Sequence, residues 1–150
     1  MFLADSRVSI LLVDDSDDDV LLVQRAFQKA QFLTSLFVVK SGHEALLYLR
    51  GEHPYSDRTL YPLPELILLD LKMPGMDGFE VLSWIRGEPG LKHSRVLVLT
   101  SSNELRDVNL AYKLGANSFL VKPTDFEQYK GLVESIHEHW MTRNPNLKSA

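Results

Sequence analysis

The sequence predicts an α/β fold, a doubly wound five-stranded parallel sheet of order 2-1-3-4-5 with five helices. Two observations carry that prediction. Five short β-branched or aliphatic runs recur along the 150 residues, and the segments between them place apolar residues at helical spacing. Strand alternating with helix implies parallel strands covered by helices on both faces. A third observation orders the sheet. Runs one, three and four are nearly continuous aliphatics, as strands buried on both faces require, whereas runs two and five have polar flanks that suit edges. The order 2-1-3-4-5 satisfies this and puts a ligand site beyond the carboxyl ends of the strands, near the switch between strands one and three.

VSILLV (8–13) is the first strand. Ser16 caps the first helix, and Asp17, Asp18 and Asp19 fill its first turn, where the helix dipole favours negative charge. Val20, Val23, Phe27 and Ala30 share its apolar face. LFVVK (36–40) is the second strand, and Ala45, Leu46 and Leu49 mark the second helix. GEHPYSDRTLYPLP (51–64) is longer than most helix-to-strand connections, and Tyr55, Leu60 and Tyr61 read as its own packing. ELILLD (65–70) is the third strand. In MPGMDG (73–78), Pro and Gly shape a turn and Asp77 caps a third helix lined by Phe79, Leu82 and Ile85. RVLVLT (95–100) precedes a fourth helix whose apolar face is Leu105, Val108 and Tyr112. SFLVK (118–122) precedes a last helix carrying Val133, Ile136 and Trp140, which Asn144-Pro145 should end.

Composition narrows the function. At 45% apolar and 24% charged residues, this is an ordinary globular composition. One domain is expected over 1–150, with a core at about 7–141 and a polar tail at 142–150. Apolar runs such as ILLV and LILL fall far short of the roughly 20 residues that span a bilayer, so no membrane partner is expected. MFLADSR offers no basic segment or cleavage pattern, and the chain has no Cys; both suit the cytoplasm. A formal charge of −4 with mixed signs gives no basic field for direct contact with nucleic acid.

The chemistry is at the strand ends. Strand one ends in Asp14-Asp15, strand three in Asp70, strand four in Thr100 and strand five in Lys122-Pro123. In a parallel sheet these ends share one edge, so three carboxylates, a hydroxyl and an ammonium converge. Three carboxylates need a cation, and an all-oxygen site with room for waters suits Mg²⁺. Asp70 is then a candidate nucleophile toward a phosphoryl group, with Lys122 and Thr100 placed to meet phosphoryl oxygens. Ser101 is small enough to let that group approach. Taken singly, each residue reads as a cap, a turn or a surface charge; five at four strand ends do not.

This constellation, over about residues 7–141, resembles the receiver domain of two-component response regulators, a flavodoxin-like fold. The resemblance implies that Asp14 and Asp15 are the acidic metal pair and Asp70 the phosphoacceptor. It also implies that Thr100 and Lys122 are the family's hydroxyl and lysine, and that Phe119 is its aromatic switch or else an edge-strand core residue. The carbonyl of Lys72 would be a further metal ligand, although a lysine there departs from the Asn common in relatives. The Lys122-Pro123 peptide would be cis. The proline-containing 51–64 loop, VKPTDFEQY and the HEHW helix end resemble single-domain regulators paired with phytochrome-type histidine kinases. A histidine kinase is therefore the expected partner. With no output domain attached, the signal would leave through the surface or by onward transfer. Homodimers are common among such relatives, many through helix four, strand five and helix five. Trp140, near the chain end, either anchors such an interface or folds back on its own domain.

Two other functions fit less well. An aspartate-nucleophile phosphatase needs an acidic residue two positions after the nucleophile, where Lys72 stands. A mononucleotide-binding protein needs a Gly-rich loop after strand one, where only aspartates follow. The five His residues lie outside the strand-end cluster, and His137 and His139 fall on different helix faces, which speaks against a His metal site or an internal phospho-histidine.

Overall fold

The computed structural model describes residues 7–141. Its elements run β1 (Val8–Val13), α1 (Asp17–Ala30), β2 (Thr34–Val39), α2 (Gly42–Arg50), β3 (Leu66–Leu69), α3 (Gly78–Gly87), β4 (Arg95–Thr100), α4 (Leu105–Lys113), β5 (Ser118–Val121) and α5 (Phe126–Ile136), followed by a π-helical turn (His137–Met141). The strands form one parallel sheet of order β2-β1-β3-β4-β5, as the hydrophobic pattern predicts.

The period-two alternation of the strands divides the core. Leu11, Val13, Ile67, Leu69, Val96 and Val98 face α2, α3 and α4, where Ala45, Leu49, Val81, Ile85 and Ala111 meet them. Ile10, Leu12, Leu66, Leu68, Leu97 and Leu99 face the other way, against Val20, Val23 and Phe27 of α1 and Tyr129, Val133 and Ile136 of α5. Every residue of β1 and β3 is buried, while β2 and β5 are only partly covered, which fits their place at the edges.

Helix starts follow local chemistry. Ser16 accepts from the Asp19 N–H, Ser41 from that of Glu44 and Asp125 from that of Gln128. Asp77 and Glu80 form a reciprocal capping box, which confirms Asp77 as the cap of α3. In the 51–64 connection, Tyr55 and Tyr61 pack against Tyr48 and Phe37. The Arg58 guanidinium donates to the carbonyls of Tyr48, Leu49 and Tyr61, closing the carboxyl end of α2.

Four expectations need correction or qualification. The apolar face of α4 points outward: Leu105 is 73% exposed and Tyr112 is also exposed, while Asp107 and Ala111 are the buried positions. A short edge helix covers the sheet with a narrow strip, and here Ala111 gives close approach while Asp107 finds polar partners beneath. Leu60 is exposed and does not join the packing of its loop, which Tyr55 and Tyr61 already fill. Among the described residues the cis peptide is His53–Pro54; Lys122–Pro123 is trans, and the two isomers of an X–Pro bond differ by only about 1 kcal/mol. Trp140 is half-buried against its own core, with Met141 fully covered behind it, so the indole is not left in water. Asn144-Pro145 and the 142–150 tail lie outside the described residues.

Candidate functional site

The parallel register delivers the strand ends to one edge. Asp14 follows β1, its N–H donating to the Val39 carbonyl of β2, and Asp70 follows β3, its N–H donating to the Val13 carbonyl. Thr100 ends β4, and the Lys122 N–H donates to its carbonyl from the end of β5. Gly78 opens α3 directly beneath this edge. A Cβ there would stand 2.2 Å from the Asp70 carbonyl oxygen, so only glycine lets α3 approach the strand end.

Asp14, Asp15 and Asp70 each bring a carboxylate oxygen within 4.8 Å of the others. Asp14 and Asp70 are buried and Asp15 is exposed, so the group is open on one side. Burial raises the Asp14 carboxyl above its ordinary value, against the lowering effect of the Ser16 N–H at Oδ1 and of Lys122. Three carboxylate oxygens at this spacing, with one side open, fit a divalent cation. The Lys72 N–H donates to Asp70 Oδ1 at 3.3 Å, which places the Lys72 peptide beside the carboxylate.

Lys122 crosses the floor of the site. Its side chain is 5% exposed, and Nζ lies 2.7 Å from Asp19 Oδ2, 2.9 Å from Asp14 Oδ2 and 3.2 Å from Asp70 Oδ2. Burial disfavours its charge, yet the Asp19 carboxylate that accepts from it and the adjacent Asp14 and Asp70 carboxylates outweigh burial and hold the ammonium above its ordinary range. Thr100 is fully buried, and its Oγ1 has no hydrogen-bond partner among the described residues. A buried hydroxyl without a partner costs about 1–3 kcal/mol, so it is poised to bond an oxygen that enters the site. Phe119 is partly buried against the α3–α4 side of the core, and its N–H donates to the Tyr112 hydroxyl.

The five strand-end residues thus come together as the spacing predicts, whereas Trp140 lies elsewhere, its carbonyl accepting from Arg95 at the amino end of β4. Two features are missing from the sequence reading. The sequence makes Asp19 a first-turn helix charge, yet its carboxylate is the nearest partner of Lys122. The buried Asp107 of α4 accepts from Ser102 Oγ at 2.5 Å and pairs with Lys72 Nζ at 3.2 Å. A serine three residues before Asp19 signals a cap, but nothing local shows a lysine arriving from a strand 103 positions away.

Residues 10–134 match the response regulator receiver domain family. This chain belongs to that family. It is 40% identical over 141 residues to the probable methanogenesis regulatory protein FilR2 of Methanothrix harundinacea, covering 94% of this chain and 88% of that protein. It is 36% identical to the response regulator Rcp1 of Synechocystis sp., over 88% of each chain. The crystal structure of the Mn²⁺-bound form of Rcp1 superposes with a TM-score of 0.81, covering 91% of this chain and 96% of that one. That of the phosphorylated cyanobacterial phytochrome response regulator RcpA gives 0.85 at 34% identity, covering 93% and 97%. The chain is therefore a two-component signalling receiver similar to phytochrome response regulators. Among the described residues no helix is long and apolar enough to cross a membrane.

Proposed function

We propose that this receiver takes a phosphoryl group from a histidine kinase onto Asp70 with Mg²⁺ bound, and signals through its changed surface. The observation that carries the reading is the placement of Asp70. Its buried carboxylate stands between an acidic pair and the Lys122 ammonium, on the same edge as the unpartnered Thr100 hydroxyl. An Asp70 oxygen bonds to phosphorus as the bond from phosphorus to the kinase imidazole breaks, and the imidazole leaves with a proton. Asp14, Asp15, Asp70 and the Lys72 carbonyl would hold Mg²⁺, which when bound offsets charge on the transferring oxygens. Lys122 meets one phosphoryl oxygen and Thr100 another, and the inward movement of Thr100 vacates space that Phe119 enters.

The chain is in this reading a single receiver unit of the cytoplasm, a phosphoacceptor that acts on itself rather than an enzyme with a separate substrate. RcpA's description as a phytochrome response regulator supports a phytochrome-type kinase as the donor. FilR2's description as a methanogenesis regulator points to the wider class of histidine kinases. Incubation with Mg²⁺ and either acetyl phosphate or a phosphorylated kinase should add one base-labile phosphate, and Asp70→Asn should abolish it. Label surviving in that variant would overturn the assignment.

Homodimerisation is part of the proposal, with a change of place. Leu105, Tyr112 and Val121 are exposed on α4 and β5, whereas Trp140 packs on its own core, so α4 and β5 offer the apolar contact. Light scattering at micromolar concentration should show a dimer that Leu105→Ser weakens and Trp140→Ala does not; a monomeric parent defeats it.

A further inference from the structure

Lys122 has three donor hydrogens and three carboxylate neighbours, and the nearest of these is not a strand-end residue. Asp19 stands at the third position of α1, where a longer acidic side chain would fold back onto the backbone N–H of the capping serine. That N–H is already taken: Asp14 Oδ1 accepts it at 2.9 Å. The Asp19 carboxylate is left free to turn toward Lys122, while its own N–H remains bonded to Ser16 Oγ.

The three carboxylates are not equivalent. Asp14 and Asp70 belong to the oxygen group that fits a metal, and Asp19 does not. Asp14 and Asp70 are almost sealed from solvent, whereas the Asp19 side chain is 27% exposed and can rehydrate if its partner leaves. A phosphoryl oxygen that takes one hydrogen from Lys122 must displace an acceptor, and Asp19 is the one whose release leaves the metal carboxylates in place.

We infer that Asp19 is a positioning residue for Lys122: it seats the ammonium on the α1 side of the site, closer to Asp19 at 2.7 Å than to Asp70 at 3.2 Å, and yields it to the phosphoryl group. This rests on the reading of Asp70 as phosphoacceptor. Without Asp19 the ammonium falls back on Asp14 and Asp70, and a tighter pair with Asp70 makes that oxygen a poorer nucleophile.

The experiment compares Asp19→Asn with Asp18→Asn in the full chain. Both remove one charge from the first turn of α1, but Asp18 is exposed and has no contact with Lys122. With acetyl phosphate and Mg²⁺, Asp19→Asn should lower the maximal rate of phosphate uptake by about fivefold to tenfold, the scale of one net hydrogen bond. The half-saturating acetyl phosphate concentration should not move, and Asp18→Asn should behave as the parent. In the free protein, the ¹H–¹⁵N ammonium signal of Lys122, assigned by its loss in Lys122→Arg, should shift in Asp19→Asn alone. Parent-like rates and ammonium signal in Asp19→Asn overturn the inference, as does equal slowing in both variants or an ammonium signal missing from the parent. Failure of the parent to take phosphate at Asp70 removes the phosphoacceptor reading instead, and the ammonium signal still decides whether Asp19 seats Lys122.

Discussion

Two lysines reach buried carboxylates at the same edge of the sheet, in opposite settings. Lys122 is 5% exposed and meets three carboxylates, whereas Lys72 is 56% exposed and meets Asp107 alone. Solvent can take over the Lys72 ammonium if Asp107 lets go, and it cannot do the same for Lys122. The energetic worth of an ion pair follows from that alternative more than from its length: both groups include contacts of 3.2 Å. Lys122 draws three carboxylates together at the strand ends, and the Lys72 pair ties the loop after β3 to α4 at lower cost.

The largest effect that would sharpen the contrast is loss of Lys122. Lys122→Met leaves the buried Asp14 and Asp70 carboxylates without their cation, and the metal-free protein should lose about 3 kcal/mol of stability. Mg²⁺ should restore part of it, because a divalent cation supplies the missing charge. Urea unfolding with and without Mg²⁺ measures both. A loss below about 1 kcal/mol would put Lys122 in the same class as Lys72.

Asp107→Asn comes next, and its effect depends on pH. The Ser102 hydroxyl, then the Lys72 ammonium, hold the Asp107 carboxyl below its ordinary value despite its burial. A depressed carboxyl pKa contributes stability that is fully present above the unfolded value, near 4, and is lost as pH falls through the folded value. The parent should therefore exceed Asp107→Asn by about 1–2 kcal/mol at neutral pH, and the gap should close on acidification. Thermal unfolding across pH 2–7 (on the order of ten points spans the window) would show a constant gap if the carboxylate were irrelevant.

Lys72→Met should have the smallest effect, under about 1 kcal/mol, since a half-exposed ammonium gives up little when it leaves. A cost equal to that of Lys122→Met would break the comparison. Its measurement is the same urea titration, run beside Asp107→Asn so that the shared pair can be separated from Ser102 by a double-mutant cycle.

Much of the fold and site was legible because it rests on local pattern. Continuous aliphatics in β1, β3 and β4 marked the middle of the sheet, and polar flanks marked β2 and β5 as edges. Once the strands are parallel, their ends must share an edge, so Asp14, Asp15, Asp70, Thr100 and Lys122 could be gathered without coordinates. Caps at Ser16 and Asp77 were equally local, each satisfied within three residues.

Rotation of a helix about its axis is not local, and there the pattern misled. Leu105, Val108 and Tyr112 do share a face of α4, but the face that docks on an edge strand is chosen by what lies beneath, here a place for Ala111 and partners for Asp107. The same holds for Trp140, whose spacing fitted either an interface or its own core until the π-helical turn laid it on that core. Asp19 is the sharpest case. Sequence alone determined that it would begin a helix; only the arrival of Lys122 from β5, with the Ser16 N–H already occupied by Asp14, decided that its carboxylate turns into the site. Propensity and periodicity act over a few residues and are written in the chain, whereas the choice among equally good partners for a charge depends on distances that only the folded packing sets.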